Sequence, residues 1–248
     1  METAVIVAGG KKAPDDYRAL LEALKADGGR LRVIGADEGA LWLLERGLSL
    51  DIAVGDFDTV GEAGLERLRA AGVPYIVLPA EKDETDTEFA YGEAKRLGVR
   101  RVVLYGALGD RFDHSLTNVQ LLYRIARDGL AGFVAGPAHR IYLVGPGEHR
   151  LRIRFPFVSL IPFSPEVRGV VLEGFRYALR GETLSWGMGR GVSNEPAAPE
   201  GIIRLEAGWL LVVESRDLEN RDRVMEGREG EEAGGAAAGD GPGALAEP

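Results

Sequence analysis

The chain of 248 residues contains no cysteine. That absence excludes disulfides, zinc-thiolate sites and thiol nucleophiles, and it fits a reducing compartment. Long apolar runs are also missing. Those present are strand-sized and broken by Gly, Pro or charge, and Met1-Glu2-Thr3-Ala4-Val5 lacks the basic and apolar regions of a signal peptide. A cytoplasmic protein without a membrane partner is therefore expected. Positive charge is scarce, with 30 Lys and Arg against 39 Asp and Glu for a net charge of −9. Nucleic acid is accordingly excluded as the main partner, because phosphate-backbone binding needs clustered cations. Finally, no Walker ending Gly-Lys-Ser/Thr occurs, and no Gly-x-Gly-x-x-Gly follows the first apolar segment. Any phosphate would be held by metal and arginine rather than by a glycine cradle.

What the chain does have is carboxylate at the ends of apolar runs. Ala53-Val54-Gly55 leads into Asp56 and Asp58, Ile76-Val77-Leu78 toward Asp83 and Asp86, and Val102-Val103-Leu104 toward Asp113. If the runs are neighbouring parallel strands, their carboxyl ends share the rim where open α/β sheets bind ligands. Five aspartates would then converge. Carboxylates so crowded repel one another and resist desolvation, so a divalent cation is the natural compensating charge and a polyphosphate its natural guest.

Strand and helix patterns alternate as far as residue 136, the signature of a doubly wound, mostly parallel α/β sheet. Strands are expected at Thr3–Ala8, Arg32–Ala36, Ile52–Gly55, Tyr75–Leu78, Val102–Tyr105 and Phe133–Ala135. Helices are expected near Pro14–Lys25, Ala40–Arg46, Glu62–Ala71, Thr85–Leu97 and Ser115–Arg127. Past Gly136-Pro137 the texture changes to short β-branched or aromatic runs separated by Gly and Pro: Ile141–Val144, Leu151–Phe155, Val158–Pro162, Gly169–Glu173, Ile202–Leu205 and Trp209–Glu214. A small antiparallel β domain follows from that texture. Expected boundaries are 1–137 for the α/β domain, 138–217 for the β domain and 218–248 for a disordered acidic tail rich in Gly and Ala.

Each acidic loop also has an ordinary reading. Asp56 and Asp58, two residues apart in extended backbone, point the same way while Phe57 points to the core; a turn with an aspartate cap is the alternative. Lys82-Asp83-Glu84-Thr85-Asp86 enters a helix that Asp or Thr would cap. Gly106 through His114 is the densest segment: Gly106 and Gly109 allow close backbone approach, Arg111 offers a fork to phosphate oxygens, and Asp113 enters the helix carrying Asn118. His114 reads as a residue that shapes this loop. Lys11 and Lys12 read as solvated surface lysines.

Taken together, Ala36-Asp37 before Gly39-Ala40, Gly55 to Thr59, Lys82-Asp83 to Asp86, Gly106 to Arg111 with Asp113, His114 and Asn118, and Ser193-Asn194 resemble the thiamine pyrophosphokinase family, in family order over Ala4 to Glu214. The resemblance implies an N-terminal Rossmann-like domain that binds ATP and magnesium, a C-terminal β-sandwich that binds thiamine, and a homodimer. It also implies transfer of pyrophosphate from ATP to thiamine with release of AMP. By the same resemblance, Asp56, Asp58 and Asp86 are magnesium ligands with Asp83 close by, and Arg111 and Asp113 belong to the catalytic phosphate loop. Asp37, Gly39, Gly106, Gly109, His114 and Asn118 fall on the nucleotide side; Tyr177, Ser193 and Asn194 fall on the thiamine side, with Trp186 competing with Tyr177 as the stacking aromatic. Glu38 and Leu41 depart from the family pattern of a second glycine and a nearby Asn. That departure leaves open another acceptor, such as a hydroxymethylpterin, and a non-catalytic thiamine or nucleotide sensor is the remaining alternative.

Overall fold

A computed structural model describes residues 1–217; the tail expected at 218–248 lies outside the described residues. Six strands alternate with five helices: β1 (Glu2–Val7), α1 (Pro14–Ala26), β2 (Arg30–Ala36), α2 (Glu38–Glu45), β3 (Ile52–Gly55), α3 (Gly61–Ala70), β4 (Tyr75–Val77), α4 (Asp86–Arg96), β5 (Arg101–Tyr105), α5 (Phe112–Arg127) and β6 (Ala131–Ala135). Seven strands follow: β7 (His139–Val144), β8 (Gly147–Arg152), β9 (Phe157–Pro162), β10 (Glu166–Glu173), β11 (Leu179–Ser185), β12 (Glu200–Leu205) and β13 (Leu210–Ser215).

Strand β1 shows why the first half folds as it does. Ala4, Val5, Ile6 and Val7 are all fully buried, the pattern of a central parallel strand covered on both faces. Val5 and Val7 pack with Tyr17, Leu21 and Leu24 of α1 and Leu43 of α2. Ala4 and Ile6 turn the other way, toward Ala90, Tyr91 and Ala94 of α4 and Val119, Leu122 and Ile125 of α5. Helix α1 carries proline in its first turn with Asp15 and Asp16 beside it, and Lys25 in its last turn, all favourable to the helix dipole.

The sheet runs β4-β3-β2-β1-β5-β6-β7-β13-β9. Pairing is parallel from β4 through β6, then antiparallel from β6 to β9. It is therefore continuous across residues 137 and 138. A separate antiparallel sheet, β11-β10-β12-β8, packs on its far end: Val144, Leu160, Leu210 and Val212 meet Val167, Val170, Leu172, Ile203 and Leu205 in one buried cluster. The result is mixed α/β, with a mostly parallel sheet joined to a β-sandwich.

Three expectations need correction. The apolar runs ending in acid are not all neighbours, since β1 and β2 lie between β3 and β5; the chain reverses its winding at β1. Strand β8 occupies Gly147–Arg152 rather than Leu151–Phe155, because an edge strand carries polar residues that hide it from an apolar pattern. Strand β11 escaped the sequence reading for the same reason. It is an edge strand with Gly181 inside, and only Leu179 and Leu184 of it are buried.

Candidate active site at the sheet rim

The winding reverses between β1 and β5, and their carboxyl-terminal loops are tied together there. Gly10 N–H donates to Gly106 O at 2.7 Å and Lys11 N–H to Leu108 O at 2.7 Å. Gly10 has no room for a side chain, because a Cβ would run into the Leu108 and Gly106 carbonyl oxygens. Gly106 adopts φ +65°, which glycine enters without strain. Asn118, buried on α5, donates to Ala107 O at 2.8 Å. Ser115 holds the turn by accepting from Gly109 N–H at 3.0 Å and donating to Arg111 O at 3.0 Å. Ser115 thus takes the shaping role expected of His114, which is exposed. Arg111 and Asp113 are both exposed and pair with each other, Nη2 to Oδ2 at 2.6 Å. This bond lowers the Asp113 pKa and raises that of Arg111.

On the next two strands, the β2 and β3 ends build the acidic site. Asp37, Asp56 and Asp58 each place a carboxylate oxygen within 4.8 Å of the others. The backbone there is forced: Asp37 has φ 46° and Phe57 φ 56°, and Ser193 (φ 56°) is the other described non-glycine residue with positive φ. Phe57, only 2 % exposed, anchors its loop by packing with Ala40, Ala53 and Leu68; the backbone between Asp56 and Asp58 is not extended as expected but turns at Phe57, and their carboxylates meet that of Asp37. Gly39 lets α2 start against β1, since a Cβ there would collide with Val7 O.

Capping accounts for some of the loop residues but not for the aspartates. Thr85 caps α4, accepting from Glu88 N–H at 3.2 Å while Glu88 accepts from Thr85 N–H at 2.9 Å. Asp86 is left free of that duty and turns toward the site. Helix α3 starts at Val60 with no side-chain cap; Asp56 Oδ1 instead accepts from Asp58 N–H at 3.3 Å. Asp83 is exposed, and Asp113 belongs to the β5 loop, so the five carboxylates do not converge as one group. Asp37 takes the third place in the tight cluster, with Asp86 joined to it through Lys82.

Lys82 Nζ lies 2.5 Å from Asp56 Oδ2 and 3.3 Å from Asp86 Oδ1. Burial works against its charge, but the two carboxylates outweigh burial and raise its pKa. The pair is uneven: the Lys82 bond lowers the Asp56 pKa, whereas burial raises that of Asp86 despite the same partner. Asp56 has the closer contact, at 2.5 Å, and burial weighs more heavily on Asp86. Asp37 is pushed up to about 6, first by burial and then by the charges of Asp86 and Asp56. Asp37 Oδ1 and Asp86 Oδ1 are buried without hydrogen-bond partners. The hard carboxylate oxygens of Asp37, Asp56 and Asp58, within 4.8 Å of one another and including an Asp37 oxygen with no partner, fit a small divalent cation with oxygen preference.

Two lysines carry signals that the sequence reading undervalued. Lys11 is solvated, its side chain 73 % exposed in a 3.2 Å pair with Asp110. Lys12 is not: its ammonium donates to Ala8 O and Gly10 O, both at 2.8 Å. Burial pulls its pKa down to about 8, with Glu38 opposing and Arg46 assisting. The glycine pair before it was the available sign of a tight loop. Of the two departures from the family pattern, Leu41 packs beside the Phe57 cluster and Glu38 reaches the Gly9 and Lys12 loop.

At the other end of the large sheet, residues 191–194 pair with the free edge of β9, Leu160 N–H to Gly191 O and Val158 with Asn194. Asn194 is buried and fully engaged. Its Oδ1 accepts from Tyr177 N–H and Glu195 N–H, and its Nδ2 donates to Tyr177 O at 2.7 Å. What it presents is Tyr177, 55 % exposed, with Trp186 (62 %) also on the surface. Ser193 is exposed, held by its N–H to Ser159 Oγ at 3.0 Å.

Fold and rim together define the class: an open α/β protein whose acidic crevice suits a divalent cation and a phosphorylated ligand, extended by a β-sandwich. Residues 29–133 match the thiamin pyrophosphokinase catalytic domain, and residues 148–210 match the thiamin pyrophosphokinase vitamin B1 binding domain. The chain is 31 % identical over 186 residues to the thiamine pyrophosphokinase of Bacillus subtilis, covering 74 % of this chain and 87 % of the relative. The Bacillus subtilis crystal structure aligns with TM-score 0.77 at 30 % identity over 87 % of this chain and all of that one. A thiamin pyrophosphokinase from Geobacillus thermodenitrificans aligns with TM-score 0.74 at 30 % identity, covering 88 % and 99 % of the two chains. The chain belongs to the thiamine pyrophosphokinase family and is an enzyme of that type.

Proposed function

We propose that this chain transfers the pyrophosphoryl group of Mg·ATP to the hydroxyethyl oxygen of thiamine, giving thiamine diphosphate and AMP. The observation that carries the chemistry is the cluster of Asp37, Asp56 and Asp58, with ligand oxygens within 4.8 Å of one another and one of them buried without a partner. Asp37, Asp56, Asp58 and Asp86 would hold the magnesium ion, which when bound would supply charge neutralisation for the phosphates. Arg111 opens from Asp113 to meet phosphate oxygens, an easy exchange because the pair is solvated and worth little. The loops of Gly10, Gly106 and Gly109 bring backbone close to the nucleotide. The thiamine hydroxyl attacks the β-phosphorus in line, and positioning and electrostatics provide most of the rate.

The thiamine side rests on the β-sandwich, where Tyr177 offers a flat face and Ser193 a hydroxyl. Residues 1–137 form the ATP and magnesium part and 138–217 the thiamine part, a division supported by the two family models. These parts are far apart within one chain. Strands β3 and β9 are seven steps apart in the sheet, roughly 34 Å at about 4.8 Å per step. A homodimer in which the partner supplies the thiamine wall brings both together. No helix among the described residues is long and apolar enough to cross a membrane, in keeping with work in the cytoplasm on small substrates. The direct test is incubation with Mg·ATP and thiamine or a hydroxymethylpterin: AMP and thiamine diphosphate are expected only with thiamine. Nucleotide and thiamine binding without AMP would make the protein a sensor.

A further inference from the structure

Lys82 sits in the turn before α4, and its ammonium reaches among the carboxylates rather than into solvent. Its side chain is 16 % exposed, against 14 % for Asp56 and 23 % for Asp86. It is therefore unlike a surface ion pair, which is screened and contributes little. Local helix chemistry does not demand it, because Thr85 and Glu88 already complete the cap of α4. An ammonium has three protons to donate, and this one makes its close contact with Asp56 while standing 3.3 Å from Asp86. It leaves Asp37 Oδ1 buried without a partner, and Asp86 Oδ1 has that ion pair but no hydrogen bond. The cluster is thus partly neutralised, with oxygens still unsatisfied.

We propose that Lys82 is a resident counter-cation that holds the place of the metal in the free enzyme and must leave Asp56 and Asp86 when the metal enters. Phosphate oxygens of the nucleotide are the anions to which the displaced ammonium moves. Metal and nucleotide then bind cooperatively, because metal entry alone strands the ammonium, while the two together give every charge a partner. Lys82 acts here as a positioning residue, keeping the aspartates ordered between turnovers. The inference rests on the Mg·ATP reading above.

The test uses the full chain carrying Lys82→Met, with Lys82→Gln as a second variant should the first fail to fold. Calorimetric titration of nucleotide-free protein with Mg²⁺ is expected to show about tenfold tighter binding in the variants. In EDTA their Tm should fall by about 3–6 °C, since the carboxylates lose their counter-charge. In saturating Mg²⁺ the variants and the wild type should converge. A Tm deficit of equal size in EDTA and in Mg²⁺ would show an ordinary structural lysine and overturn the proposal, as would unchanged Mg²⁺ affinity in both variants. If the wild type binds no Mg²⁺ even with ATP, the metal reading itself falls, and the role of Lys82 falls with it.

Discussion

The acidic crevice and the Tyr177 wall occupy the two ends of one nine-stranded sheet, and they satisfy their polar groups in opposite ways. At the crevice, Asp37 and Asp86 keep buried carboxylate oxygens without hydrogen bonds. At the wall, Asn194 gives its side-chain amide to the backbone of Tyr177 and Glu195 and leaves nothing unsatisfied. Buried carboxylates without hydrogen bonds mark where a charged ligand is to be bound. Satisfied polar groups mark where a surface is being held in shape. One region is electrostatic and the other is a platform.

Substitutions should separate the two. The largest effect is expected from Asp58→Asn, which lowers AMP formation by about 10²–10³-fold. Asp58 is exposed, so the circular dichroism spectrum and Tm should stay near wild type; near-normal turnover would remove Asp58 from the reaction. At the wall, Asn194→Ala leaves backbone groups of Tyr177 and Glu195 without partners and should destabilise the fold by about 2–3 kcal/mol in urea unfolding. The same variant should raise KM for thiamine while leaving KM for ATP in place. Equal loss for both substrates would mean that the two ends of the sheet do not divide the work.

The smallest effect concerns Asp37 and pH. Its folded pKa of about 6 exceeds the ordinary value of 3.8, so the folded metal-free protein takes up this proton before the unfolded chain does. The stability linked to neutral Asp37 is complete below about pH 4 and is lost as pH rises through 6. Asp37→Asn should therefore be about 1–2 kcal/mol more stable than wild type at pH 8 in EDTA, after allowance for solvent screening. It should match the wild type at pH 4. A constant difference across that range would assign the effect to shape rather than charge.

Much of this was legible in one dimension. Alternating strand and helix patterns place β1 to β6 because buried parallel strands are apolar on both faces, and Ile52–Gly55 is matched residue for residue. Edge strands were harder. Strands β8 and β11 carry the polar residues that edges require, so periodicity missed or displaced them. At the rim, capping by Asp or Thr was expected for the helix after Lys82, but that Thr85 would cap with Glu88 and leave Asp86 free was not. Lys82 was visible only as a neighbour of Asp83, and Lys12 only as one of two adjacent lysines.

The sequence by itself determined the parallel α/β half, the acidic loops after its strands and the residue blocks that place the chain in its family, because these depend on local spacing and composition. Tertiary structure alone decided that Asp37 joins Asp56 and Asp58 while Asp113 stays with Arg111, and that Lys82 enters the cluster. It also decided that Asn194 supports Tyr177 and that one sheet runs through both halves. Strand order sets those outcomes: it fixes which loop ends become neighbours across the sheet, placing the β2, β3 and β4 ends side by side while the β5 loop lies beyond β1.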